Sequence, residues 1–262
     1  MKPMAVLSLV RELRTGAGDL RPLLVAGVPA LVPALARELR REGDASAVRE
    51  GGSPVGAAAL VYVLEGEPTE ADLAVLRAAS EAEIPIVAVT EGGERSIPYV
   101  LATDIVRVKP GAGFDVPAIA KALARRLGEG GTALAARLPS LRRAVCRELI
   151  RSFSRTNGLV GAAVFVPGVD MPILTMNQAR LVLRLARAHG QQVDAARLPE
   201  LLAVVAGGAG LRTVARETLG AIPIAGWAIK GAIAYTGTRA IGEAALQYFE
   251  AGAPLGRLVP TR

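Results

Sequence analysis

The feature that most constrains the fold is a continuous apolar stretch, residues 23–26, which passes through a glycine turn into an amphipathic helix. The same alternation of apolar strand and helix continues to residue 127. Strands of this kind, when helices separate them, are typical of a parallel sheet that is covered on both faces. We therefore predict an α/β domain with a doubly wound, mostly parallel sheet. Its predicted strands are 23–26, 45–50, 57–64, 84–89 and 104–108, and its predicted helices are 4–13, 30–41, 117–127 and one capped by Thr69.

The turn after the first strand, residues 27–34, lacks the residues of a phosphate loop. It contains one Gly, two Pro and no Lys, Ser or Thr, whereas a phosphate loop needs free backbone amides, a Lys and a hydroxyl for Mg²⁺. Each Pro removes one amide donor. The turns after two later strands add only carboxylates, Glu65, Glu67, Glu91 and Glu94. We therefore predict no cofactor and no enzymatic activity.

A weaker anion-binding signal is the Gly-x-Gly sequence at 111–113, which has Lys109 close by and precedes a predicted helix. The flexibility that a loop needs to enter a helix explains these glycines as well, and we favour that explanation.

The counts of Cys and His exclude several kinds of site. Cys146 is the single cysteine and His189 the single histidine, so an intrachain disulfide and the common zinc sites are excluded. We expect Cys146 to be a buried, inert thiol. We expect His189 to lie in the last turn of a helix that stops at Gly190. The lone cysteine and the absence of a signal-peptide pattern favour a cytoplasmic location.

The charge is divided unevenly along the chain. Residues 1–136 carry a net charge of −2 and residues 137–262 a net charge of +9, within a total of +7. A shift of this size predicts a domain boundary and a basic surface on the second part. We predict an α/β domain at 1–136, an all-α domain at 137–252 and a tail at 253–262.

The first helix of the second domain has two stripes at four-residue spacing. One is apolar (Leu141, Val145, Leu149 and Phe153) and one is basic (Arg143, Arg147, Arg151 and Arg155). The basic stripe is a candidate surface for an anionic partner or an anionic membrane. The alternative is a solvated face of a helical bundle, since runs of charge usually serve only to keep a face in water.

Two weakly charged segments, 156–175 and 218–238, are either buried connections or hairpins that enter a membrane. Thr175 and Gln178 have the spacing of a capping box, which predicts a helix from there to His189. In the last predicted helix, small residues recur every four positions and predict a face on which helices approach closely. They are Ala228, Ala232, Thr236, Ala240 and Ala244.

The two domains resemble two known families. The strands at 60–64 and 86–92 and the residues 102–104 fall where an Era-like GTPase has its nucleotide motifs, and every motif is absent. The segments 176–186, 219–227 and 248–250 are similar to the YcjF-type domain of unknown function. This resemblance implies a helical domain that follows a GTPase domain, in some members at the inner membrane. It implies no catalytic residue.

These observations predict a non-enzymatic, pseudo-GTPase-like scaffold or regulatory protein. Its expected partner is a protein, such as a GTPase or a second copy of itself, or an anionic membrane surface, rather than nucleic acid. Two alternatives stay open. One is a GTP- or ATP-hydrolysing enzyme with an unusual phosphate site that takes its cation from Arg21, Lys109 or a partner subunit. The other is a protein that inserts the hairpins 156–175 and 218–238 into a membrane.

Overall fold

The computed structural model describes residues 19–92, 96–109, 111–163, 171–191 and 226–252. The chain divides into two compact units. One is Gly18–Val145, and the other comprises Cys146–Arg262 together with Met1–Ala17. The predicted helix at 4–13 lies outside the described residues.

The first unit is built on an all-parallel sheet, which confirms the predicted α/β class. The described strands are β1 (Leu23–Gly27), β2 (Val48–Glu50), β3 (Ala59–Leu64), β4 (Ile86–Glu91) and β5 (Ile105–Val108). They are arranged in the order β2-β1-β3-β4-β5. Leu23 lies opposite Val48 of β2 and Ala59 of β3. Strand β1 therefore has β2 on one side and β3, followed by β4 and β5, on the other. All six residues of β3 are buried, as expected for a strand with helices on both faces.

Four described helices accompany the sheet, of which the first two connect strands and the last two follow β5. They are α1 (Val32–Arg40), α2 (Glu70–Glu81), α3 (Val116–Leu127) and α4 (Gly131–Arg137). The predicted cap at Thr69 is confirmed. Its hydroxyl accepts from the Asp72 amide at 3.3 Å, and the Asp72 carboxylate accepts from the Thr69 amide at 2.8 Å. This reciprocal pair satisfies two amides at the start of α2.

The predicted strand at 45–50 is shorter than expected because Asp44 begins a turn of 3₁₀ helix over Ala45–Ala47. The Asp44 carboxylate accepts from the Ser46 amide at 2.8 Å and from the Arg137 guanidinium at 2.9 Å. Hydrogen bonds from Ser46 and then from Arg137 lower the pKa of Asp44 to about 2, because they favour the charged carboxylate.

The second unit packs three described helices. They are α5 (Pro139–Ala163), which begins in the first unit, α6 (Met171–Ala188) and α7 (Gly226–Glu250). Helices α5 and α7 are antiparallel. A Cβ atom on Gly242 would lie 2.8 Å from Ile150, and one on Gly161 would lie 2.8 Å from Ala234. Within the described residues, no helix is both long and apolar enough to cross a membrane.

Two of the local predictions in this unit are wrong. Thr175 does not cap a helix, because α6 begins at Met171 and Thr175 lies inside it. Ala232 and Thr236, from the predicted close-packing stripe, are exposed. The buried face of α7 is the neighbouring one, which includes Gly231, Ala234 and Thr238. Glycine permits the contact, since a Cβ atom on Gly231 would lie 2.8 Å from the Gly158 carbonyl oxygen.

A buried polar network joins the three helices. The Asn157 side-chain amide of α5 donates to the Thr238 hydroxyl of α7 at 2.8 Å, and Asn157 and Thr238 are both fully buried. From α6, the Asn177 side-chain amide donates to Oδ1 of Asn157 at 2.8 Å, and the Gln178 side-chain amide donates to the Thr238 hydroxyl at 3.2 Å. Each bond satisfies a polar group that would be costly to bury alone.

Candidate functional site

The carboxyl edge of the sheet, where doubly wound proteins bind ligands, begins with a tight contact at Gly27. Gly27 has a φ of +116°, and a Cβ atom there would lie 1.9 Å from the Val63 carbonyl oxygen. The next amide, that of Val28, donates to the same oxygen at 3.1 Å. The turn therefore packs directly against β3. The Val28 amide points at the protein and not at the position of a ligand.

Further amides in this turn and in the first turn of α1 are also bonded within the chain. Leu31 and Val32 both donate to the Val28 carbonyl oxygen, at 3.0 and 3.1 Å, and Leu35 donates to that of Leu31 at 3.1 Å. Pro29 and Pro33 have no amide to offer. Phosphate binding at a helix start relies on amides that point at the ligand, and here three amides of the turn, those of Val28, Leu31 and Val32, are already bonded.

The rim of this edge is acidic. Glu65, Glu67 and Glu91 are exposed at the ends of β3 and β4, and Glu94 lies outside the described residues. A cleft of about 330 Å³ opens between the loops that follow β3 and β4. Its lining residues are Gly66, Glu67, Pro68, Leu73, Thr90, Ser96, Ile97 and Pro98. Among the residues that the structure describes, this lining supplies hydroxyls and a carboxylate but no cation for a phosphate.

Arg21 and Lys109, which could replace the lysine of a phosphate loop, both lie away from the turn at residues 27–34. We refer to this turn, which follows β1, as the β1 turn. Arg21 precedes β1, so it is at the amino edge of the sheet, and it is paired with Asp19 at 2.8 Å. Lys109 follows β5, which is separated from β1 by β3 and β4. Three strand spacings amount to roughly 14 Å. Neither residue is therefore placed beside a phosphate at the turn.

The Gly111-x-Gly113 loop also has an internal explanation. Gly111 and Gly113 have φ angles of +72° and +74°, which glycine adopts without strain. At the start of α3, the Asp115 carboxylate accepts from the Ala118 amide at 3.0 Å. The position that an anion would take at this helix end is thus occupied by a side chain of the protein.

Two buried titratable side chains of the α/β unit, Tyr62 and Asp104, have structural roles. Burial, and then a hydrogen bond to Asp72 at 2.7 Å, raise the pKa of the Tyr62 hydroxyl. Asp104 is only 2% exposed and contacts Arg125 at 3.5 Å and Arg126 at 3.3 Å. Among the described residues, no group of three or more His, Cys, Asp and Glu is positioned to hold a metal ion.

Cys146 and His189 lie where the sequence predicts. Cys146 is fully buried on α5. Nδ1 of His189 lies 2.8 Å from the Leu185 carbonyl oxygen, one residue past the end of α6, and Gly190 follows with a φ of +73°. His189 thus satisfies a carbonyl at the end of its helix, as expected for a capping residue.

All four predicted arginines of α5 (Arg143, Arg147, Arg151 and Arg155) are exposed. The four members of the apolar stripe (Leu141, Val145, Leu149 and Phe153) are buried. The amphipathic pattern therefore fixes which side of α5 faces water. Arg151 forms an ion pair with Glu148 at 2.8 Å, three residues earlier on the same helix.

Two of these arginines belong to a cleft that sequence analysis missed. The cleft lies between α5 and α7 and has a volume of about 340 Å³. It is lined by Arg147, Ile150, Arg151, Tyr235, Arg239 and Glu243. Arg239 is exposed and lies next to the buried Thr238 on α7. We refer to this set of six residues as the α5–α7 cleft.

Comparison with known proteins adds no identity. No family model, no curated protein and no solved structure matches this chain. The class of the protein is therefore defined by its fold, a parallel α/β unit followed by packed helices, and its function is argued from the geometry above.

Proposed function

We propose that this chain is a non-enzymatic, pseudo-GTPase-like scaffold or regulatory protein. Its α/β unit keeps the architecture of a nucleotide-binding domain without the phosphate site. Its helical unit presents a basic face to an anionic partner, either a protein such as a GTPase or the cytoplasmic surface of a membrane. The observation that carries the proposal is the turn after β1, in which the amides of Val28, Leu31 and Val32 are bonded within the chain.

The sheet order supports the comparison with nucleotide-binding proteins. In the order β2-β1-β3-β4-β5, the chain reverses its direction of travel across the sheet at β1, and ligands of such sheets bind at that reversal. The β1 turn is therefore the place where a nucleotide would be expected. Its bonded amides and the acidic rim formed by Glu65, Glu67 and Glu91 both oppose a triphosphate.

Nucleotide titration tests this proposal directly. Isothermal titration calorimetry of the full chain with GTP, GDP and ATP, each with Mg²⁺, should give no binding heat up to about millimolar nucleotide, the weak end of specific affinities. A phosphate-release assay run in parallel should show no turnover. Micromolar binding of any of the three nucleotides would overturn the pseudo-GTPase proposal, and Mg²⁺-dependent hydrolysis would support the enzyme alternative.

A second candidate function, membrane association through apolar side chains, is favoured by one specific observation. Leu159 of α5, Ile173 of α6 and Ile229 of α7 are exposed by 72%, 47% and 39%. Contacts between Gly161 and Ala234, and between Asn157 and Leu174, place these three residues at the same end of the helical unit. They belong to the two weakly charged segments 156–175 and 218–238.

Vesicle flotation separates the two modes of membrane association. Attraction between arginines and anionic lipid weakens as salt is added, because the Debye length falls from about 10 Å at 0.1 M to about 3 Å at 1 M. Apolar insertion persists in high salt. Salt-sensitive flotation that depends on anionic lipid supports the basic face. Salt-resistant flotation that is lost in Leu159→Ser supports insertion instead.

A further inference from the structure

The α5–α7 cleft lies beside a close contact between its two helices. Ile150 packs against Gly242, where a Cβ atom would lie only 2.8 Å from the isoleucine side chain. Arg147 and Arg151 lie on either side of Ile150 along α5, and Arg239 lies one turn before Gly242 on α7. The contact therefore brings arginines from two helices around one concave space.

The charges of the cleft are unbalanced. Three guanidinium groups and one carboxylate, that of Glu243, line it, which leaves a formal net charge of +2. Arg151 has an ion-pair partner in Glu148. For Arg147 and Arg239, the described part of the chain supplies no carboxylate within ion-pair distance. Like charges around a concave space repel each other, and an anion bound between them would remove that repulsion.

We propose that the α5–α7 cleft binds a phosphomonoester group, with Arg147 and Arg239 as its principal ligands. Guanidinium groups bind phosphate through paired N–H donors, and Tyr235 adds a hydroxyl donor at the same cleft. A phosphomonoester carries a charge of about −1.5 to −2 at pH 7, which is opposite in sign to the net positive charge of the cleft. A volume of about 340 Å³ lies at the small end of ligand pockets, so it suits a compact group.

This inference deepens the proposed function and rests on it, since it names the chemistry that the basic face would recognise. It is more specific than a basic stripe on one helix. A diffuse stripe would use Arg143, Arg147, Arg151 and Arg155 alike. The cleft uses Arg147 and Arg151 together with Arg239 of another helix, and it leaves Arg155 out. Because Arg155 belongs to the stripe but not to the cleft, mutation of single arginines can distinguish a diffuse basic stripe from a cleft.

The test compares variants that each remove one exposed positive charge. Arg147→Ala and Arg239→Ala alter the cleft, and Arg155→Ala is the matched control on the same helix. Two probes represent the two sources of the group, which are inorganic phosphate by calorimetry and phosphatidylcholine vesicles with phosphatidic acid by flotation. Circular dichroism checks that each full-length variant is folded, and the side chains are exposed enough that folding should be kept.

The expected result is that each cleft variant weakens binding by roughly tenfold or more, as for the loss of a charged hydrogen bond, while Arg155→Ala changes it by no more than about twofold. Arg239→Lys should also weaken binding, because lysine keeps the charge but loses the paired donors. Binding of phosphate itself indicates a soluble ligand. Binding of vesicles alone, with the same variant pattern, indicates a lipid headgroup.

Two results would overturn the cleft as a phosphomonoester site. If Arg147→Ala, Arg239→Ala and Arg155→Ala weaken binding equally, the anion is held by a diffuse basic face, and the proposed function survives without the cleft. If neither probe binds, the cleft is not such a site, and an acidic protein remains the partner to seek. The nucleotide titration is independent of both results, so failure of the pseudo-GTPase proposal is seen separately.

Discussion

Replacement of Gly27 by alanine should destabilise the protein by an amount that can be worked out from the β1 turn. At a φ of +116°, a side chain adds backbone strain of about 1–3 kcal/mol. The new Cβ atom would also lie 1.9 Å from the Val63 carbonyl oxygen and 2.7 Å from the Val63 nitrogen. Because the obstacle is the backbone of β3 and cannot rotate away, overpacking adds about 1–3 kcal/mol. We expect a total loss of about 4 kcal/mol, a large part of the stability of an ordinary domain.

The matched control is Gly66→Ala, which isolates the strain from the clash. Gly66 has a φ of +78°, and a Cβ atom there would meet nothing within 4 Å. It should therefore cost only about 1 kcal/mol. Urea unfolding followed by circular dichroism measures both variants. A Gly27→Ala protein without a folded baseline agrees with the expectation. The reasoning fails if Gly27→Ala costs no more than Gly66→Ala, because the turn would then not be held against β3 as described.

Three further predictions concern buried polar groups and pH. Thr238→Val removes the acceptor of the Asn157 side-chain amide and should lower the free energy of unfolding in urea by about 1–3 kcal/mol. Thr238→Ser keeps the hydroxyl and should lower it clearly less. Equal losses would rule out the hydroxyl as the cause. Arg126→Ala should cost about 2 kcal/mol, more than Asp104→Asn. The first leaves a carboxylate that is 2% exposed with Arg125 as its remaining ion-pair partner, while the second leaves arginines that water can reach. The reverse order would contradict this account. The lowered pKa of Asp44, about 2, means that its ionised form favours the folded state, so its contribution to stability is complete above about pH 4 and is lost as the pH falls through about 2. Urea midpoints across this range should fall less steeply in Asp44→Asn, and parallel curves would refute the linkage.

The strands and the first cap could be predicted because their signals are local. Residues 23–26 and 57–64 are apolar without interruption and are buried, and β1 (Leu23–Gly27) and β3 (Ala59–Leu64) overlap these two stretches. At Thr69, the cap and its carboxylate partner Asp72 are three residues apart, so the whole motif is contained in the sequence. Such elements need no knowledge of distant parts of the chain.

The same reasoning failed where distant contacts decide. Thr175 and Gln178 have the spacing of a capping box, but Gln178 bonds to Thr238 of another helix, and α6 starts a turn earlier. In α7, small residues are so frequent that several stripes satisfy the four-residue pattern. Contacts with α5 bury Gly231 and Ala234 and leave Ala232 exposed. The sequence of α7 alone cannot predict those contacts.

The α5–α7 cleft also combines residues that the sequence could predict with one that it could not. The exposure of Arg147 and Arg151 follows from the apolar stripe of α5, because a helix that buries one side must present the other to water. Arg239 had no such signal, since its neighbours on α7 do not form a basic stripe. Its place beside Arg147 depends on the register between two helices that are far apart in the sequence, and no local pattern reports that register.

That register links the stability of the helical unit to its proposed chemistry. Three contacts define it along α5 and α7, namely Ile150 with Gly242, Asn157 with Thr238, and Gly161 with Ala234. Sliding one helix by a single turn, about 5.4 Å, would separate Asn157 from its acceptor and bring Thr238 or Leu246, in place of Gly242, against Ile150. A polar pair buried among apolar side chains penalises such shifts more than apolar packing does, because a displaced amide is left without a partner. The network that holds Asn157 therefore also fixes the distance between the arginines of α5 and Arg239, and the α5–α7 cleft depends on a buried contact that touches no ligand.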